Sequence, residues 1–206
     1  MQTQFVHQQV TINFRSCFMI ETRKKLNAFL KADYIRQGMK HPLVAKFTFG
    51  EHAVVWSYIK NLRYVEYYHY KKNHSKAPIS FLWAFLYGIN LLLLRRKSLK
   101  TQIFISPDTC GPGLLLPHPG PIRVSGIVRM GQNCTILPSV LFGRRSPEAT
   151  GRIIVGDGCY FGAGCSIIGP LTIGDNVIVG AGAVVTKDAP SNSVVVGVPA
   201  KNISTK

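Results

Sequence analysis

The sequence predicts an α+β chain: a basic α-helical domain over residues 1–100, then a parallel β-helix of six-residue repeats over 101–206 with one protruding loop and a C-terminal tail. Three observations predict it. In the first half, apolar residues recur three and four apart. After Lys100, glycine, proline, valine and isoleucine become frequent and charge drops. The second half then carries a bulky apolar residue at every sixth position.

The helices come first. From Glu21 to about Gln37, and from Glu51 to about Lys72, the spacing is helical, as at Val55, Tyr58, Leu62, Val65 and Tyr68. Lys40-His41-Pro42 and Lys76-Ala77-Pro78 act as breakers, because proline disfavours helix for the residue before it. A third helix is expected from Ser80 to about Arg95. Its apolar run, Phe81 to Leu94, has 14 residues broken by Gly88 and Asn90, against about 20 for a bilayer-crossing helix, so a spanning segment is disfavoured. No basic, apolar, small-residue leader opens the chain, so a cytoplasmic protein is expected.

In the second half, Val155, Phe161, Ile167, Ile173, Val179 and Val185 keep an unbroken period of six, and Val124, Met130, Ile136 and Phe142 form an earlier block. The two blocks stand thirteen residues apart, out of register, so residues between Phe142 and Val155, Arg144 to Thr150 among them, leave the helix as a loop. Glycine often follows the bulky residue, as at Gly131, Gly156, Gly162, Gly174 and Gly180, where a corner is expected to need permissive φ. Four positions after the bulky residue stands a small or medium one: Cys134, Val140, Cys159, Cys165, Val177 or Ala183. Two inward positions per hexapeptide mean short segments meeting at sharp corners, three to a triangular coil, around an aliphatic prism.

Charge is uneven. Residues 1–100 hold 17 basic and 4 acidic side chains, the rest 8 and 5. Such a half suits an anionic membrane face, a polyanionic ligand or nucleic acid. The last is not expected, since one helix face explains Tyr64, Tyr67, Tyr68 and Tyr70 beside Lys71 and Lys72 more simply. The alternatives for the basic half are subunits packing with lysines in water, or a peripheral seat on the inner membrane face. The five cysteines form no zinc pattern, and His118 is the only histidine after His74, so no metal is expected. Gly111-Pro-Gly113 lacks the spacing of a phosphate loop.

The stretch from about Ile103 to Ile203 resembles the hexapeptide-repeat acyltransferases, whose coils are left-handed. The most specific residues are Ile173-Gly-Asp-Asn-Val-Ile-Val-Gly-Ala-Gly-Ala-Val-Val-Thr-Lys-Asp and Gly197-Val-Pro-Ala-Lys201. Ile105-Ser-Pro-Asp-Thr-Cys-Gly-Pro-Gly-Leu-Leu-Leu-Pro-His118 looks like the start of the β-helix in serine acetyltransferases and their saccharide-acetylating relatives, and His118-Pro-Gly-Pro-Ile-Arg-Val-Ser looks closer to the latter. Phe104 and Pro117 stand where serine acetyltransferases usually have aspartates, and Arg152 stands near the place of a second histidine.

This resemblance implies a homotrimeric O-acetyltransferase that moves an acetyl group from acetyl-CoA to a hydroxyl of a saccharide or glycan precursor. Serine is the alternative acceptor, and a non-catalytic scaffold the second alternative. His118 would be the general base, as suits an imidazole near neutrality. The amide of Gly143 would hold the oxyanion. Gly143, Gly162, Ala163, Gly180 and Ala181 would line the pantetheine path, with Lys187 and Lys201 near the phosphates. Asp108 and Glu148 are candidates to orient His118. Glu148 either reaches a neighbouring subunit's cleft or is a solvated charge, and Arg144 and Arg145 either grip an anionic acceptor or solvate the loop.

Overall fold

The computed structural model describes residues 19–38 and 50–204. Cys17 and the Lys40-His41-Pro42 breaker lie outside the described residues. Helix α1 (Arg23–Arg36) starts where the Thr22 hydroxyl accepts from the Lys25 amide at 3.1 Å, satisfying one of the amides a helix start leaves free. Helix α2 (Glu51–His74) ends at the predicted breaker. Helix α3 (Ile79–Thr101) runs beyond the expected Arg95, since Arg95 to Thr101 contain no breaker, and stops at Gln102, whose φ of 61° is left-handed. By length and composition alone α3 is apolar enough to cross a membrane.

The rest is a left-handed β-helix with three faces. The first holds β1 (Ile103–Ile105), β2 (Ile122–Val124), β5 (Leu141–Arg144), β8 (Ser166–Gly169) and β11 (Val184–Val185). The second holds β3 (Val128–Met130), β6 (Ile153–Val155) and β9 (Leu171–Ile173). The third holds β4 (Thr135–Ile136), β7 (Tyr160–Phe161), β10 (Ile178–Val179), β12 (Val194–Val196) and β13 (Lys201–Asn202). All pairings are parallel except β12 with β13, where the Gly197-to-Lys201 segment turns back.

The register measures the loop. Ile153 pairs with Leu171 and Tyr160 with Ile178, steps of 18 residues, or three hexapeptides. Thr135 pairs with Tyr160 and Leu141 with Ser166, steps of 25. The seven extra residues lie between Arg144, opposite Gly169, and Ile153, opposite Leu171. Every bulky repeat position is buried, as are the small ones, including Cys134, Cys159 and Cys165. Burial pushes the Cys165 thiol up to about 12 and that of Cys110 up to about 11, so both are protonated at neutral pH.

The glycines after the bulky residues have a different cause from the one expected. Their φ values are ordinary. A Cβ at Gly162 would instead sit 2.6 Å from the Ala181 amide, and one at Gly111 2.7 Å from the Gly131 carbonyl, so these glycines exist because adjacent coils touch there. Left-handed φ falls three residues after the bulky position, at Asn133, Gly158, Asn176 and Asn192 on one corner and at Ser139, Gly164 and Gly182 on another.

The helices do not stand apart from the prism. Val55, Tyr58, Ile59, Leu62 and Val65 of α2 and Leu94 of α3 belong to one core cluster with the β-helix interior.

Candidate active site

His118 lies in the first coil, at the corner between the third face, where Leu115 bridges Thr135, and the first face, where β2 begins. Its ring is exposed, and its Nδ1 is 2.8 Å from Oε2 of Glu51, the first residue of α2. A carboxylate accepts only, so Nδ1 carries the hydrogen and Nε2 is left with the lone pair. That is the arrangement of a base held by an acid. Within this chain the carboxylate at His118 is that of Glu51, not of Asp108 or Glu148. The Asp108 amide donates to Glu66 at 2.9 Å and its carboxylate lies 3.6 Å from His69, while Glu148 is exposed in the loop.

A buried ion network fixes the first coil against the helices. Arg63 meets Asp33 at 2.8 Å and Glu66 at 3.0 Å, all three buried. Its remaining donors go to the carbonyls of Cys110 and Gly111 at 2.8 and 2.7 Å. Asp33 accepts from the amides of Gly113 and Leu114, and the Tyr58 hydroxyl accepts from the Ile105 amide. With the Asp108 amide on Glu66, six backbone groups of the segment leading to His118 are thus held by α1 and α2. Burial, opposed by Arg63, raises the Glu66 carboxyl to about 7. Burial likewise raises Asp108 against the pull of His69 and Arg129. Sequence reasoning missed Asp33, Arg63 and Glu66, although Arg63 and Glu66 interrupt the apolar face of Leu62 and Val65, which was a readable signal. Glu51 had none, being 67 residues from its partner.

Four of the expected donor-binding residues share the corner that begins at His118. Gly120 abuts Pro138, the Gly164 amide donates to the Pro138 carbonyl, and the Gly182 amide donates to the Ala163 carbonyl. Gly162 and Ala163, then Gly180 and Ala181, therefore follow His118 down one edge. At its foot the Ala200 amide donates to the Val184 carbonyl, beside exposed Lys201. Four coil steps of about 4.8 Å put Lys201 roughly 19 Å from His118 along the edge.

The loop residues are placed elsewhere. Arg144 donates to the Ala149 carbonyl, closing the loop, and Arg145 donates to the Thr186 carbonyl beside Lys187. Arg152 lies at the loop's return, where its carbonyl accepts from the Leu171 amide.

Gly143 is on the first face, in a groove of about 490 Å³ lined also by Ser98, Phe104, Arg123, Ser125 and Phe142. His118 does not line it. A Cβ at Gly143 would meet nothing closer than Leu141 at 3.9 Å, so the chain's own packing does not demand glycine there. Phe104 lies under the Arg123 guanidinium, 4.9 Å from its ring centre. Among the described residues, no group of three or more histidine, cysteine, aspartate or glutamate side chains is placed to hold a metal ion.

Comparison with known proteins agrees with the fold. A family model described as bacterial transferase hexapeptide (six repeats) matches residues 152–187. The serine acetyltransferase of Buchnera aphidicola from Acyrthosiphon pisum is 29% identical over 178 residues, covering 84% of this chain and 61% of that protein. Serine acetyltransferase 2 of Arabidopsis thaliana is 36% identical over 121 residues, covering 56% and 38%. The chain thus spans less than two thirds of the length of these relatives. Among solved structures, Neisseria gonorrhoeae serine acetyltransferase superposes with a TM-score of 0.64 at 26% identity, covering 88% of this chain and 68% of that one. The saccharide acceptor expected from the residues after His118 is overturned, because these relatives and neighbours are serine acetyltransferases. The fold and the repeat segment 152–187 are thus similar to those of the hexapeptide-repeat transferases, and the relatives and structural neighbours reported above are serine acetyltransferases.

Proposed function

We propose that the chain is an acetyl-CoA-dependent serine O-acetyltransferase with His118 as general base. The observation that carries this reading is the exposed imidazole with Nδ1 on Glu51, at the head of an edge of small residues that ends at a lysine. The serine acceptor is supported by the relatives, one of which, the Neisseria gonorrhoeae enzyme, has been solved in complex with serine. A coenzyme A complex is known for the Brucella abortus serine acetyltransferase, whose fold is similar.

In this mechanism Nε2 of His118 takes the proton of the serine hydroxyl as its oxygen attacks the thioester carbonyl. Glu51 holds the ring and stabilises the imidazolium that forms. The tetrahedral intermediate collapses with cleavage of the C–S bond, and the imidazolium returns the proton to the leaving thiolate. Gly162, Ala163, Gly180 and Ala181 leave room for the pantetheine arm, and Lys201 and Lys187 supply cations for the phosphates.

Gly143 remains the proposed oxyanion donor. It and His118 lie on different parts of one chain's surface, so bringing both to one acetyl group takes two copies, which a homotrimer supplies. A cytoplasmic setting is supported by the four cysteines among the described residues, all free and buried, and a peripheral membrane contact of the basic half is part of the same proposal.

Thiol release from acetyl-CoA tests the function. L-serine is expected to drive release and give O-acetylserine. No release with serine would overturn the reading, and a non-catalytic scaffold would then be left.

A further inference from the structure

We propose that the outer face of α3 docks on an anionic phospholipid bilayer, with the helix lying in the plane of the interface. This gives the membrane contact proposed above its element and residues, and it is independent of the serine acceptor. Helix α3 is apolar on both sides. Its inner side, with Trp83, Leu91 and Leu94, packs against the core clusters built on α2. Its outer side presents Leu82, Phe85, Ile89 and Leu92, spaced three and four apart, with exposures of 55, 66, 41 and 62%, and Phe81 stands beside them at 75%. A helix that is apolar all round is normally covered all round.

Charge identifies the cover. Between Glu66 and Asp108 the chain has seven lysines and arginines and no acid. Lys71, Lys72 and Lys76 stand where α2 turns into α3, and Arg95, Arg96 and Lys100 at the other end, so cations frame the apolar ridge at both ends. A second copy packed ridge to ridge would bring the same cations and no carboxylate to meet them. Anionic headgroups supply the opposite charge, and the ridge enters the acyl boundary between them.

Two features make α3 lie on the bilayer rather than cross it. The uncharged stretch from Ile79 to Leu94 is 16 residues, about 24 Å of helix against roughly 30 Å of hydrocarbon. Its inner side is also tied to α2, where Asn61 donates to the Asn90 side chain at 3.1 Å and Lys97 to the Ser57 carbonyl at 2.8 Å.

Flotation of the full chain with vesicles of phosphatidylcholine plus phosphatidylglycerol, or of phosphatidylcholine alone, tests the proposal. Binding to the anionic vesicles is expected, weaker by roughly tenfold or more on neutral ones. The variant Arg95→Gln/Arg96→Gln/Lys100→Gln should bind about 100-fold more weakly, at about fivefold per cation. The variant Phe81→Ser/Leu82→Ser/Phe85→Ser should lose binding and keep its acetyl transfer in solution, since these residues lie outside the site. Equal binding to neutral vesicles would overturn the proposal, as would serine variants that float like the parent. So would a parent that ignores both vesicles but falls to a smaller assembly on serine substitution, which would identify a second copy as the occupant. Flotation without acetyl transfer would reject the enzymatic reading and leave this one standing.

Discussion

His118 and Glu51 are 67 residues apart in the chain and 2.8 Å apart in space, so the proposed base owes its orientation to the helical half. Replacing His118 with alanine should lower kcat by about 10²- to 10⁴-fold, with acetyl-CoA binding retained in a calorimetric titration. Glu51→Gln keeps an acceptor but removes the charge. Because the pair is exposed, a loss of about tenfold in kcat is expected, with KM for acetyl-CoA unchanged in steady-state assays. The corner glycines separate two causes that sequence alone merges. Gly162→Ala places a Cβ against the Ala181 amide and should cost about 1–3 kcal/mol in urea unfolding. Gly182 has φ of 67° and open space around it, so Gly182→Asn should be nearly neutral, as asparagine already occupies such a corner at Asn176 and Asn192.

Among the elements, the joint between α1, α2 and the first coil sets how well the site is held. Arg63→Met leaves Asp33 and Glu66 buried without their cation, a change expected to cost about 3–5 kcal/mol by denaturant unfolding. Glu66 makes this joint respond to pH. Its folded pKa of about 7 lies above the ordinary 4.5, so between these values the folded chain holds more protons than the unfolded one. Stability from this group is therefore full below about pH 4.5 and is lost as pH rises to about 7, on the order of 3 kcal/mol. Unfolding curves at pH 5 and pH 8 should show this slope in the parent and its disappearance in Glu66→Gln. The β-helix elements were legible because each hexapeptide repeats the same burial, from Val155 through Val185. Arg63 and Glu66 showed as interruptions of an apolar face but not as a joint, because their partners, Asp33 and the backbone groups of Asp108, Cys110 and Gly111, lie 30 or more residues away.

At the scale of the whole molecule, the outer face of α3 and the separation of Gly143 from His118 both point beyond a single chain. Sedimentation of the intact protein is expected to give a three-chain species, and a monomer with full activity would remove the proposed trimeric site. The sequence by itself determined the coil. A period of six with two inward positions means three short segments to a triangular coil, and the break in phase after Phe142 located the loop that the 25-residue register step measures as seven extra residues. It also marked His118, the one histidine in the repeat half. Only the tertiary structure decided what holds that histidine, why the corner glycines are glycine, and that the small-residue edge runs from His118 to Lys201. Periodicity records which side of a segment is buried, whereas these features depend on contacts between residues a whole coil or more apart.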